Sequence, residues 1–120
     1  MIYIIDDDKS VRRSFEILLA ANDIECKSYE CAKEFLNEYL HVEGDLLLLD
    51  MHMPGISGIE VLSISKERKI DIPVIVITAY DEEESRKIAK DFGVIAYLRK
   101  PIDGEALIDL IKFNTEHTKT

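Results

Sequence analysis

The chain has 120 residues, 47% of them apolar, with 24 acidic against 15 basic side chains and a formal charge of -9. That length holds one domain around one core, and the apolar share excludes a disordered chain. The negative balance argues against direct binding of nucleic acid, whose phosphate backbone repels it, and is ordinary for a soluble cytoplasmic protein.

The first apolar run, "IYII" (2–5), predicts a strand that ends on Asp6, Asp7 and Asp8. Three like charges in a row are costly: at about 4 Å and an effective dielectric near 20, each close pair costs about 4 kcal/mol. Asp8 reads as the N-cap of a helix whose Val11, Phe15, Leu18 and Leu19 share one face. No signal peptide precedes the first strand and no apolar run approaches membrane length, so a soluble, intracellular chain is expected.

"IECKS" (24–28) alternates and carries charge, as an edge strand does. Cys26 and Cys31, the only cysteines, lack zinc-ligand spacing and read as reduced, half-buried residues. A second helical face follows at Ala32, Phe35, Leu36, Tyr39 and Leu40. Tyr3 and Tyr39 read as packing residues, and His41 and His117 as surface residues.

"LLLL" (46–49) predicts a strand covered on both faces and ending at Asp50. A weaker helix, "SGIEVLSISKERK" (57–69), starts near Ser57, and "VIVI" (74–77) gives a fourth strand ending at Thr78. The helix "EEESRKIAKDF" (82–92) has only Ile88, Ala89 and Phe92 to bury, with Gly93 as its stop. "VIAYL" (94–98) is the fifth strand and runs into Lys100. Leu107, Leu110 and Ile111 mark a last helix behind Asp103 as N-cap, and "FNTEHTKT" (113–120) reads as a fraying end.

Strand and helix thus alternate five times, which predicts a parallel sheet with helices on both faces. In such sheets ligands bind beyond the carboxyl ends of the strands. With the second strand at the edge, in the order 2-1-3-4-5, Asp6, Asp7, Asp50, Thr78 and Lys100 become neighbours. Three carboxylates facing one lysine call for a cation. Magnesium suits them, because it takes oxygen ligands, keeps waters and completes its shell with phosphate.

The set "IIDDDKSVR", "LLLLDMHMPGISGIEVL", "PVIVITAY" and "AYLRKP" resembles the receiver domain of bacterial two-component response regulators, over nearly the whole chain. The resemblance implies a flavodoxin-like fold of five strands and five helices, with 1–120 as one receiver domain and no effector domain. It implies that Asp50 accepts a phosphoryl group from a sensor histidine kinase or phosphotransfer protein, and that Thr78 and Lys100 contact phosphoryl oxygens. Asp7, Asp50 and the backbone carbonyl of His52 would ligate magnesium, or manganese in its place, with Asp6 acting through a water. Tyr97 would be an aromatic switch partnering Thr78, with small Ala79 leaving room for the threonine to move. Lys100-Pro101 would be cis, and the face built from 82–113 would carry output, including a homodimer on phosphorylation. "VRRSFEILL" and "SYECAKEFL" resemble the branch often fused to helix-turn-helix output domains.

His52 departs from the polar or basic residues usual there. Its side chain reads either as solvent-facing or, with Tyr80, as flanking the phosphoryl group and controlling water access. Two other functions compete. "DDDKS" also fits haloacid-dehalogenase-type phosphatases, with Asp6 as nucleophile and Asp8 as acid, but leaves Asp50 without a role and lacks a late acidic pair. A receiver-like scaffold that is never phosphorylated is the other. A flavin site fails because the first loop is acidic where a phosphate cradle needs donors.

Overall fold

A computed structural model of the chain describes residues 1–80 and 82–116. The elements alternate as β1 (Ile2–Ile5), α1 (Lys9–Ala21), β2 (Cys26–Tyr29), α2 (Ala32–Glu38), β3 (Leu46–Asp50), α3 (Gly58–Glu67), β4 (Val74–Thr78), α4 (Glu83–Asp91), β5 (Ala96–Arg99) and α5 (Gly104–Glu116). All pairings are parallel and the order is β2-β1-β3-β4-β5, as expected. Ile5 pairs with Leu49, Asp50 with Ile77 and Thr78 with Arg99, so the carboxyl ends of β1, β3, β4 and β5 finish side by side.

Instead of the single core expected from the length, the period-two alternation of strands splits one leucine run between two cores, one on each face of the sheet. Leu47 and Leu49 join Ile5, Phe35, Val61, Leu62, Val76 and Ala89 under α2, α3 and α4. Leu46 and Leu48 join Ile4, Phe15, Leu19, Ile75, Leu107 and Ile111 under α1 and α5. Every residue of β3 and β4 is buried. Burial of each such leucine stabilises the fold by about 2 kcal/mol, which anchors the two strands that carry Asp50 and Thr78.

Several boundaries differ from the sequence reading. Strand β2 starts at Cys26 rather than at 24, and β5 at Ala96 rather than at 94. The residues of β5 are half-buried or exposed instead of covered on both faces, because it forms the sheet edge beyond β4. Helix α2 stops at Glu38, so Leu40 does not join its buried face and is 82% exposed. The cause is Tyr39, which turns to extended backbone and donates its hydroxyl to Asp45 Oδ2 at 3.0 Å. Tyr3 and Tyr39 pack as expected, in an aromatic cluster with Tyr29 and Phe35.

Helix α5 continues to Glu116 instead of fraying from 113. Asn114 and Thr115 turn their side chains back on the carbonyls of Leu110 and Ile111, at 2.8 Å each. His41 is exposed, whereas His117 and the rest of 117–120 lie outside the described residues. Both cysteines are free and half-buried. Among the described residues, no helix is long and apolar enough to cross a membrane.

Candidate functional site

The acidic run after β1 divides into three roles. Asp8 is the N-cap of α1 and accepts the amides of Ser10 and Val11 at 2.8 and 3.4 Å. Asp6 turns inward and is 2% exposed. Its Oδ1 accepts the Asp8 amide at 2.9 Å, its Oδ2 accepts Lys100 Nζ at 3.0 Å, and its carbonyl accepts Arg12 at 2.7 Å. Asp7 stays exposed between them. This division holds three adjacent carboxylates in place by giving two of them donors.

Asp50, the last residue of β3, is buried and accepts the His52 amide at 3.3 Å. Carboxylate oxygens of Asp6, Asp7 and Asp50 all lie within 4.8 Å of one another. Lys100 Nζ stands 4.0 Å from Asp50 Oδ1, so one ammonium serves two carboxylates. Burial, then the neighbouring Asp6 carboxylate, push the Asp50 carboxyl up to about 6, with a smaller push from Asp7. Lys100 and the His52 amide pull against that rise. One lysine does not balance three carboxylates, and the oxygen-only donor set fits a hard divalent cation such as magnesium.

Lys100 reaches this point because β5 ends beside β4. Its amide donates to the Thr78 carbonyl at 2.8 Å, and the Lys100-Pro101 bond is cis, as the family resemblance implied. Thr78 is fully buried at the end of β4. Its hydroxyl donates to the Tyr80 carbonyl at 3.0 Å and accepts the Tyr80 amide at 3.1 Å. Tyr97 is half-buried on β5, with the Arg86 guanidinium of α4 5.5 Å from its ring centre. The His52 and Tyr80 rings meet edge to face at 5.2 Å, and His52 Nε2 lies 3.5 Å from Glu82 Oε1.

Thus the structure gathers Asp6, Asp7, Asp50 and Lys100 at one point, with His52 tied to Asp50 through its amide. Thr78 faces Tyr80. Three contributors escaped the sequence reading. Arg12 secures the Asp6 carbonyl, and Glu82 contacts His52. Gly58 starts α3 against the end of β3, where a Cβ would stand 2.6 Å from Met51 Cα and 2.7 Å from the Asp50 carbonyl oxygen. The glycine after Ser57 is visible in the sequence, but its need arises only from that approach.

Comparison with known proteins agrees with this geometry. The family model described as "Response regulator receiver domain" matches residues 2–112. The chain is 32% identical to the transcriptional regulatory protein FixJ of Rhizobium meliloti (strain 1021), covering 97% of this chain and 57% of FixJ. It is also 32% identical to the DNA-binding transcriptional regulator NtrC of Escherichia coli (strain K12), covering 98% of this chain and 25% of NtrC. The chain therefore spans little more than half of one relative and a quarter of the other. The crystal structure of FixJ-N superposes with a TM-score of 0.86 at 32% identity, over 97% of this chain and 93% of that one. The response regulator StyR superposes with a TM-score of 0.89 at 33% identity, over 98% of this chain and 60% of that one. With five parallel strands in the order 2-1-3-4-5, five helices and an acidic site at their carboxyl ends, the chain belongs to the response regulator receiver domains of two-component systems.

Proposed function

We propose that this domain is a covalent switch, in which Asp50 accepts a phosphoryl group from a phosphohistidine on a partner kinase or phosphotransfer protein. The observation that carries the reading is Asp50 itself, buried at the end of β3 between two further carboxylates and a lysine. With its pKa near 6, Asp50 is ionised at neutral pH and available as a nucleophile. A carboxylate oxygen of Asp50 attacks phosphorus, the P–N bond breaks, its electron pair returns to the imidazole nitrogen, and that nitrogen takes a proton. The product is an acyl phosphate on Asp50.

Phosphoryl transfer depends on positioning and on neutralising charge more than on acid–base chemistry. Asp7, Asp50 and the His52 carbonyl would hold magnesium or manganese, with Asp6 acting through a water. When bound, the ion supplies charge neutralisation to the phosphoryl oxygens. Lys100, already 4.0 Å from Asp50, supplies a second positive charge. Thr78 contributes a hydrogen bond once its hydroxyl leaves Tyr80, and Tyr97 shifts with it, so that α4, β5 and α5 present an altered face. That face serves protein contacts, with a second copy or with another partner, and not nucleic acid. The domain works in the cytoplasm, where such kinases and their ATP are found.

Labelling with acetyl phosphate and magnesium tests the reading. One phosphate should be added, and Asp50→Asn should abolish the addition. Labelling that survives Asp50→Asn and depends on Asp6 would favour a phosphatase-like nucleophile instead. Against that alternative stand the two oxygens of Asp6, each already holding a donor, and the use of Asp8 as a helix cap.

A further inference from the structure

The Thr78 hydroxyl has one proton, and the Tyr80 carbonyl holds it at 3.0 Å. Donation to a phosphoryl oxygen therefore requires that bond to break first. The Tyr80 amide, which donates to Thr78 Oγ1 at 3.1 Å, ties the following backbone to the same hydroxyl. The Tyr80 carbonyl also accepts the Glu82 amide at 3.2 Å. Tyr80 and Glu82 are both gripped from across the site. The His52 ring meets the Tyr80 ring edge to face at 5.2 Å, and His52 Nε2 is 3.5 Å from Glu82 Oε1. His52 in turn is anchored beside the nucleophile, because its amide donates to Asp50 Oδ1 at 3.3 Å.

We infer that His52 is a positioning residue that clasps Tyr80 and Glu82, and so holds the Thr78 hydroxyl in its resting bond to the Tyr80 carbonyl. The inference rests on Asp50 being the phosphoacceptor. The clasp opposes phosphorylation: stabilisation gained by the transferring group when Thr78 turns is reduced by whatever the clasp contributes to the resting arrangement. Tyr80 and His52 are both exposed, so neither is needed to fill a core and the clasp can open without unfolding. Its energy is that of one exposed polar contact and one exposed aromatic contact, which sets the expected effect at roughly two- to five-fold.

Two readouts test it. In metal-free, unphosphorylated protein, the Tyr80 amide should exchange with solvent several-fold faster in His52→Ala than in wild type, because its acceptor is no longer held. With acetyl phosphate and magnesium, His52→Ala and Glu82→Ala should each label Asp50 roughly two- to five-fold faster than wild type. The double variant should be no faster than His52→Ala alone. His52→Gln, which keeps a donor for Glu82, should lie between wild type and His52→Ala. Labelling of His52→Ala at or below the wild-type rate, unchanged Tyr80 exchange, or effects of the two substitutions that multiply independently would each overturn the clasp. Failure of wild type to label at Asp50 would overturn the phosphoacceptor reading instead, a result separable from all of these.

Discussion

Lys100 on the loop after β5 places one ammonium 3.0 Å from Oδ2 of Asp6 and 4.0 Å from Oδ1 of Asp50, joining three strand ends with a single charge. Removing it leaves the buried Asp6 carboxylate without its only cationic side-chain partner among the described residues. Lys100→Ala should therefore destabilise the metal-free protein by about 2 kcal/mol. Added magnesium should recover more stability in this variant than in wild type, as read by urea unfolding with and without the ion.

The Asp50 carboxyl supplies a pH signature in the absence of metal. Its pKa is about 6 in the folded chain against 3.8 for an unperturbed group, so the native state holds a proton that the unfolded state has lost between those values. Native protein then binds more protons than unfolded, and stability falls as pH rises through this window. Two units correspond to about 3 kcal/mol at neutral pH. Metal-free Asp50→Asn should lack this fall and unfold at higher urea concentration than wild type at pH 7. Parallel pH dependence of the two proteins between 4 and 6 would refute the assignment.

Asp7 is exposed and adds repulsion to Asp6 and Asp50, with no hydrogen-bond or ion-pair partner among the described residues. Asp7→Ala should raise the Tm of metal-free protein and remove the magnesium-dependent rise that mass action gives the wild type. Differential scanning calorimetry with and without magnesium checks both signs. A full magnesium effect in the variant would exclude Asp7 from the cation site.

Gly58 and Gly93 make a contrasting pair. A Cβ on Gly58 collides with the Met51 backbone and the Asp50 carbonyl at 2.6 and 2.7 Å, whereas the space around Gly93 is open and only its φ of +79° resists a side chain. Gly93→Ala should cost about 1 kcal/mol, and Gly58→Ala about 2 kcal/mol or more despite the better helix propensity of alanine. Only Gly58→Ala should also weaken magnesium binding by calorimetric titration, since it displaces the backbone that carries Asp50.

Helix α4 buries only Ser85 and Ala89, both small, and packs its Ile88 and Phe92 at half exposure. Low local stability is what a moving element needs. Amide exchange should show α4 as the least protected helix, and a phosphoryl mimic bound at Asp50 should alter α4 and β5. Changes restricted to α1 would contradict this route of readout.

The sequence by itself determined the alternation of strands and helices, because apolar runs and helical spacing are local patterns. With the strand order 2-1-3-4-5, it also pointed to the convergence of Asp6, Asp7, Asp50 and Lys100, since a parallel sheet puts all its carboxyl ends on one side. Caps at Asp8 and Asp103 were legible for the same reason: each bonds amides two and three residues ahead. Tertiary structure decided what depends on residues far apart in the chain. Tyr39 leaves the helix because its hydroxyl finds Asp45, so Leu40 faces solvent instead of the core. The edge position of β5 strips cover from a run that composition alone would bury. Gly58 is required by the Asp50 carbonyl eight residues away, and Thr78 turns to Tyr80 while His52 reaches across to Glu82. Periodicity reports which face a residue takes, but only packing sets the distance between loops, and in this domain those distances define the resting state of the site.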